Sequence, residues 1–126
     1  MEVMPAIMRD FHELKVWGKA HRLVVSIYEV TQHFPSEERF GLTRQIRRTA
    51  VSIPSNIAEG CGRNTEPEMA RFFDIASGSA SELDYQILLA RDLRYIDEEN
   101  YKKLAYQVQE VRRMLYAFMK KVVPDR

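Results

Sequence analysis

The chain has 126 residues, 45% hydrophobic and 29% charged, which is one domain long enough to bury roughly two-thirds of the surface its unfolded chain exposes. A net charge of +1 excludes whole-molecule attraction to nucleic acid or membrane, so any basic surface must be local. One cysteine excludes an internal disulfide and fits a reducing compartment, the cytoplasm, and no apolar run approaches the roughly 20 residues of a membrane span.

Met1 to Phe11 lacks the basic start and apolar core of a signal peptide. Residues 1–10 are expected to form a flexible lead-in, with Met8 as an alternative start, and residues 11–123 a single domain. The first helix is predicted from about Glu13 to His33. Its inward stripe is Leu14, Trp17, His21, Val24, Ile27, Thr31 and Phe34, widened by Leu23, Tyr28 and Val30. Phe34-Pro35 ends it, because a residue before proline avoids helical angles. Ser36, followed by Glu37 and Glu38, has the form of an N-cap with acidic residues near a positive dipole end.

Arg39 to Arg63 is predicted as one long helix. Leu42, Ile46, Thr49, Ile53, Ile57 and Gly60 follow one line along it, and Arg44, Arg48, Val51, Ser55 and Glu59 occupy the opposite face. Pro54 lies inside this helix, where it removes a hydrogen bond and presses on the carbonyl of Ala50 at a cost of roughly 3 kcal/mol. A kinked helix that continues through Pro54, held by its packing, is expected. Two readings of the kink stand. It wraps the helix around its neighbours, or the freed carbonyl with Ser52, Ser55 and Asn56 forms a recognition surface.

Gly60-Cys61-Gly62 ends the helix, glycine being the residue best suited to a left-handed cap. Thr65 and Glu68 then fit a capping box, with Pro67 tolerated in a first turn. The third helix is predicted from Glu66 to Leu93, with Met69, Phe72, Phe73, Ala76, Ala80, Leu83, Ile87 and Ala90 inward. Its centre, Ala76 to Ser81, is unusually small and suits close approach of another backbone, inside the bundle or between subunits; a ligand is the alternative. Asp97 caps the fourth helix, whose stripe is Tyr101, Leu104, Val108, Val111, Leu115, Phe118 and Val122. Pro124 follows its end. Four long amphipathic helices with short connections predict an all-α, antiparallel up-down-up-down four-helix bundle.

Catalytic patterns are absent. No glutamate precedes His12, His21 or His33 by three, as a di-iron bundle requires. His21 is expected in the core or at its boundary. Cys61 lacks a nucleophile–base pattern and is expected to be buried, and Glu59 to be a bonded helix-end residue. No phosphate loop or zinc spacing occurs. No enzyme activity, metal or cofactor is expected.

The positive signal is basic. Arg39, Arg44, Arg47 and Arg48 crowd one segment, and Arg63 lies beyond it. Arginine clusters hold phosphates bidentately and stack on bases. Pairing with Glu37, Glu38 and Glu59 would instead make a solvated, salt-bridged face. Val51, Ser55 and Ala58, or the surplus aromatics Trp17, Tyr28, Tyr106 and Tyr116, offer surfaces for self-association or for another protein.

Four segments carry a family resemblance: DFHELKVWGKAH from Asp10, HFPSEERFGLTRQIRRTAVSIPSNIAEG from His33, ARFFDIASGSASELDYQI from Ala70 and ARDLRYID from Ala90. Over about Phe11 to Val122 the chain resembles the bacterial four-helix-bundle proteins encoded in intervening sequences of 23S ribosomal RNA genes. The resemblance implies a ring-like homopentamer associated with nucleic acid, and supplies no catalytic residues. The chain is more distantly similar to the accessory protein of diversity-generating retroelements, a basic pentamer that binds reverse transcriptase and nucleic acid; its near-neutral charge departs from that relative. Arg44, Arg47, Arg48 and Arg63 are the candidate nucleic-acid contacts. Gln45, Ser52, Pro54, Ser55, Asn56 and Glu59, in the same run, are candidates for fold or assembly.

Overall fold

The computed structural model describes residues 9–122. Met8 and Pro124 therefore lie outside the described residues, as does most of the anticipated lead-in. Among the described residues there are four helices and no strand: α1 (Lys15–Thr31), α2 (Leu42–Cys61), α3 (Glu66–Asp92) and α4 (Glu98–Val122). Short 3-10 turns at Phe11–Glu13 and Ser36–Glu38 precede α1 and α2. Arg9 donates its backbone N–H to the carbonyl of Cys61 at 2.9 Å. None of the helices is long and apolar enough to cross a membrane.

Each helix packs on two others. α1 contacts α2 and α4, and α3 contacts α2 and α4, with no such contact across either diagonal. One core results, filled by Leu23, Ile27, Ile46, Ile53, Ile57, Phe73, Leu83, Ile87, Val108, Val111 and Leu115. The stripe of α2 is buried at all six anticipated positions, joined by Thr43, Ala50, Pro54 and Cys61. In α4, Leu104, Val108, Val111 and Leu115 are buried, with Met119 added.

The largest contact is between α2 and α3. It steps up α2 as it steps down α3: Thr49 Oγ1 lies 3.3 Å from the Glu82 carboxylate, the hydroxyls of Ser52 and Ser79 hydrogen-bond at 2.6 Å, and Gly60 faces Phe73. Ala76 and Ala80 are fully buried along α3, so the small centre does admit a neighbouring helix. Gly78 takes no part, because a Cβ built there meets nothing within 4 Å.

α2 continues through Pro54, which is buried. The polar residues around it are spent inside the protein. Ser52 Oγ also reaches the Thr49 carbonyl at 2.7 Å, and Asn56 Nδ2 donates to the Ser52 carbonyl at 2.7 Å. Ser55 is exposed.

Four local expectations are corrected. The buried line of α1 is Val16, Ala20, Leu23, Ile27 and Thr31, so His21 is not a core residue. It is exposed and stacks on Trp17, with ring centroids 5.2 Å apart. The indole packs at the core's rim, where an amphipathic ring satisfies both environments. Ser36 makes no side-chain cap, and α2 begins at Leu42 rather than Arg39. Its cap comes from Glu38, whose carboxylate accepts the Leu42 N–H at 3.0 Å. A Cβ at Gly41 would stand 2.7 Å from that carboxylate, so a side chain there would push Glu38 off the cap.

The third correction concerns the end of α2. Gly62 is right-handed, at φ −84°, and no glycine has positive φ. The left-handed residue is Arg94, at φ 67° after α3. Its N–H donates to Arg91 at 2.8 Å and that of Tyr95 to Ala90 at 2.9 Å, the paired bonds of a Schellman motif. Fourth, Phe72 is only half-buried, lying under the guanidiniums of Arg63 and Arg71. The caps of the other two helices are as anticipated: Thr65 Oγ1 accepts the Glu68 N–H at 3.3 Å, and Asp97 accepts that of Asn100 at 2.7 Å.

Glu38 also joins the α1–α2 connection to the α3–α4 connection, accepting the Tyr95 hydroxyl at 2.9 Å. The Leu42 N–H first, then the Tyr95 hydroxyl, hold its carboxyl below the ordinary glutamate range. A depressed carboxyl contributes stability that is present above its unfolded value, about 4.3, and lost as pH falls through the folded value. Urea midpoints of the wild type are therefore expected to drop below about pH 4.3, and those of Glu38→Gln to drop less, since its amide does not titrate. Equal acid sensitivity of the two proteins would remove Glu38 from this role.

Candidate nucleic-acid interface

The exposed side of α2 is set by the same periodicity that buries its other side. Arg44, Arg48, Val51, Ser55 and Glu59 face outward. Arg44 and Arg48 are one turn apart, so their side chains are neighbours. Among the described residues no carboxylate lies within 4.0 Å of either guanidinium, and neither donates a hydrogen bond. Of the acids anticipated as partners, Glu38 caps α2 and Glu59 meets Arg63 at 3.4 Å, while Glu82 lines the groove beside both arginines without pairing with either. Like charges one turn apart oppose helix formation by about 0.2–0.5 kcal/mol, a cost the fold leaves unrelieved.

Grooves flank this ridge on both sides. The one between α1 and α2 has a volume of 650 Å³ and includes Tyr28, Thr43, Arg47 and Val51. The one between α2 and α3 has a volume of 790 Å³ and includes Gln45, Thr49, Ser79 and Glu82. Phe40, Arg44, Arg48 and Ser52 line both. Phe40 is 79% exposed, with the Arg39 guanidinium 5.4 Å from its ring. Gln45 is exposed beside it.

Arg47 and Arg63 have different surroundings from Arg44 and Arg48. Arg47 is half-buried. Its Nε donates to Thr31 Oγ1 at 2.8 Å, and its guanidinium lies 4.6 Å from the Tyr28 ring. It thereby ties the C-terminal end of α1, where a cation is favoured by the dipole, to α2. Arg63 lies roughly 28 Å along the axis from Arg44. It pairs with Glu59 and covers Phe72. The structure therefore gathers Arg39, Arg44, Arg47 and Arg48 at one end of α2 and leaves Arg63 at the other.

Of the remaining basic residues, Lys19, Arg91, Lys103 and Arg112 make ion pairs, whereas Lys15, Arg22, Arg94, Lys102, Arg113 and Lys121 make none among the described residues. Arg91 pairs with Asp92 at 3.1 Å and Arg112 with Asp84 at 3.5 Å. Phe40 and Tyr28 were not singled out as site residues by the periodicity. An aromatic lying off every buried stripe and next to arginines was the signal available for Phe40.

Nothing here assembles a nucleophile with a base. Glu59 is held by Arg63 and Asn56 by the Ser52 carbonyl, while His12 and His21 lie on or before α1 and His33 just after it. Cys61 is 1% exposed, and burial pushes its thiol up to about 11, so it is protonated and unreactive at neutral pH. Among the described residues no group of three or more His, Cys, Asp or Glu is placed to hold a metal.

The sequence matches the family described as 23S rRNA-intervening sequence protein over residues 12–117. Among solved structures, the chain is similar to a protein of unknown function from the S23 ribosomal protein family of Bacteroides thetaiotaomicron VPI-5482. That similarity has a TM-score of 0.78 and 25% identity, and covers 83% of this chain and 98% of the other. No curated protein matches the chain.

Proposed function

The chain belongs to the 23S rRNA-intervening sequence protein family, and from that premise we propose that it is a non-enzymatic homo-oligomer that associates with RNA through the exposed face of α2. The family resemblance implies a ring, and a pentamer. An RNA partner suits the cytoplasm. The observation that carries the reading is that Arg44 and Arg48, two neighbouring cations, make no ion pair among the described residues. A phosphate backbone supplies the opposite charge, and repetition around a ring multiplies the contacts although each protomer carries only +1.

Arg44 and Arg48 are the residues to replace. Arg47 is a poor probe, because removing it also unties α1 from α2. Arg44→Gln with Arg48→Gln is expected to weaken RNA binding at low salt roughly tenfold or more, and to reduce the slope of log affinity against log salt by about 1.4 to 1.8 for each protomer in contact with the RNA. Binding titrations across a salt series, with oligomeric mass measured alongside, check this. An unchanged slope in a folded, assembled variant would remove the assignment.

A second reading is an oligomeric scaffold that binds another protein and no nucleic acid. Tyr85, Tyr106 and Tyr116 favour it, being 61%, 64% and 66% exposed on α3 and α4. Purified protein free of nucleic acid, correctly assembled and without RNA binding at low salt, would select it.

A further inference from the structure

We infer that the nucleic acid taken by this face is single-stranded, with an unpaired base stacked on Phe40 and neighbouring phosphates held by Arg44 and Arg48. The inference rests on the RNA reading above and names its substrate class.

Phe40 stands between the 3-10 turn and α2, outside the core, and 79% of its surface is exposed. Its one ring contact is the Arg39 guanidinium, 5.4 Å from its centroid. The ring shares both grooves with Arg44 and Arg48, so a flat apolar surface and two unpaired cations lie on one ridge. On the α1 side the groove continues to Tyr28, which is 41% exposed and carries Arg47 over its ring. Thr43 lines that side too, and its buried hydroxyl has no hydrogen-bond partner.

These features together select the occupant. An apolar protein face laid on Phe40 would take Arg44 and Arg48 out of water without a counter-charge, which is strongly unfavourable. A nucleic-acid duplex would satisfy the arginines but leave Phe40 unused, because its bases are already stacked on one another. The deep, narrow major groove of A-form RNA also keeps side chains from the base edges. A single strand supplies both parts, a π face on each base and a phosphate beside it.

The test compares the full-length protein with Phe40→Ala and Phe40→Trp. The probes are a short mixed-sequence RNA carrying one 2-aminopurine and the same RNA annealed to its complement. Phe40 is exposed, so neither substitution should disturb the core. Phe40→Ala is expected to lose roughly tenfold or more in affinity for the single strand, with no loss for the duplex and no change in salt slope. Phe40→Trp is expected to retain single-strand affinity and the quenching of 2-aminopurine on binding.

Equal losses on single strand and duplex, or no loss on either, would overturn the stacking inference. A change in oligomeric mass in Phe40→Ala would overturn it in favour of a contact between copies. If the arginine double variant still lowers the salt slope, the RNA reading survives any of these results. If the wild type binds neither probe at low salt, the RNA reading fails first, and this inference with it.

Discussion

Phe73→Ala is expected to destabilise the protein by about 3–5 kcal/mol. The ring is fully buried in α3, stacks on Phe118 of α4 with centroids 5.1 Å apart, and lies against Gly60 of α2. Alanine would remove contacts to two helices at once and leave a cavity between them. A domain of this size has roughly 5–15 kcal/mol to lose, so the variant should sit close to its unfolding threshold. Urea unfolding should show a lower midpoint with little change in slope. A loss under about 1 kcal/mol would contradict the packing described here.

Gly60→Ala tests the same contact from the other side. A Cβ at Gly60 would stand 2.8 Å from two carbons of the Phe73 ring and 3.1 Å from the Met69 carbonyl oxygen. Neither neighbour is the free end of a flexible chain. Overpacking of this kind costs about 1–3 kcal/mol, against the roughly 1 kcal/mol that alanine returns through helix propensity. A net loss is expected, and it should shrink when Phe73 is shortened to leucine, the coupling expected of groups in contact. Gly78→Ala is the control. It has open space around it, so it should gain about 0.5–1 kcal/mol in the isolated protomer. Thermal unfolding of the three single variants and the Gly60→Ala, Phe73→Leu pair would check both signs. A stabilised Gly60→Ala would mean that α2 and α3 are further apart than the structure places them.

Periodicity already puts Gly60 on the inward line of its helix and leaves Gly78 off that of the third. Only the register of α2 against α3 sets the Phe73 ring close enough to Gly60 to bar a side chain. The same limit explains α1. The anticipated stripe meets the buried line at Ile27 and Thr31, with Leu23 at its edge, and departs from it in the first half, where Val16 and Ala20 are buried in place of Trp17 and His21. Hydrophobicity favours the larger indole, but close helix approach favours alanine and valine. The cap of α2 was missed for a related reason. Glu38 is positioned by a 3-10 turn and by Tyr95, which is distant in sequence.

The sequence by itself determined four helices, the buried stripe of α2 and the centre of that of α4, the caps at Thr65 and Asp97, and the outward arginines at positions 44 and 48. Periodicity and capping act between residues three or four apart, so they are written locally. Tertiary structure alone decided that Val16 and Ala20 complete the buried line of α1, how closely Phe73 approaches Gly60, and which cations find partners. Arg47 became a tie between helices and Arg63 a partner of Glu59, while Arg44 and Arg48 make no ion pair among the described residues. Pairing, close approach and exposure depend on residues distant in the chain, and only folding brings those together.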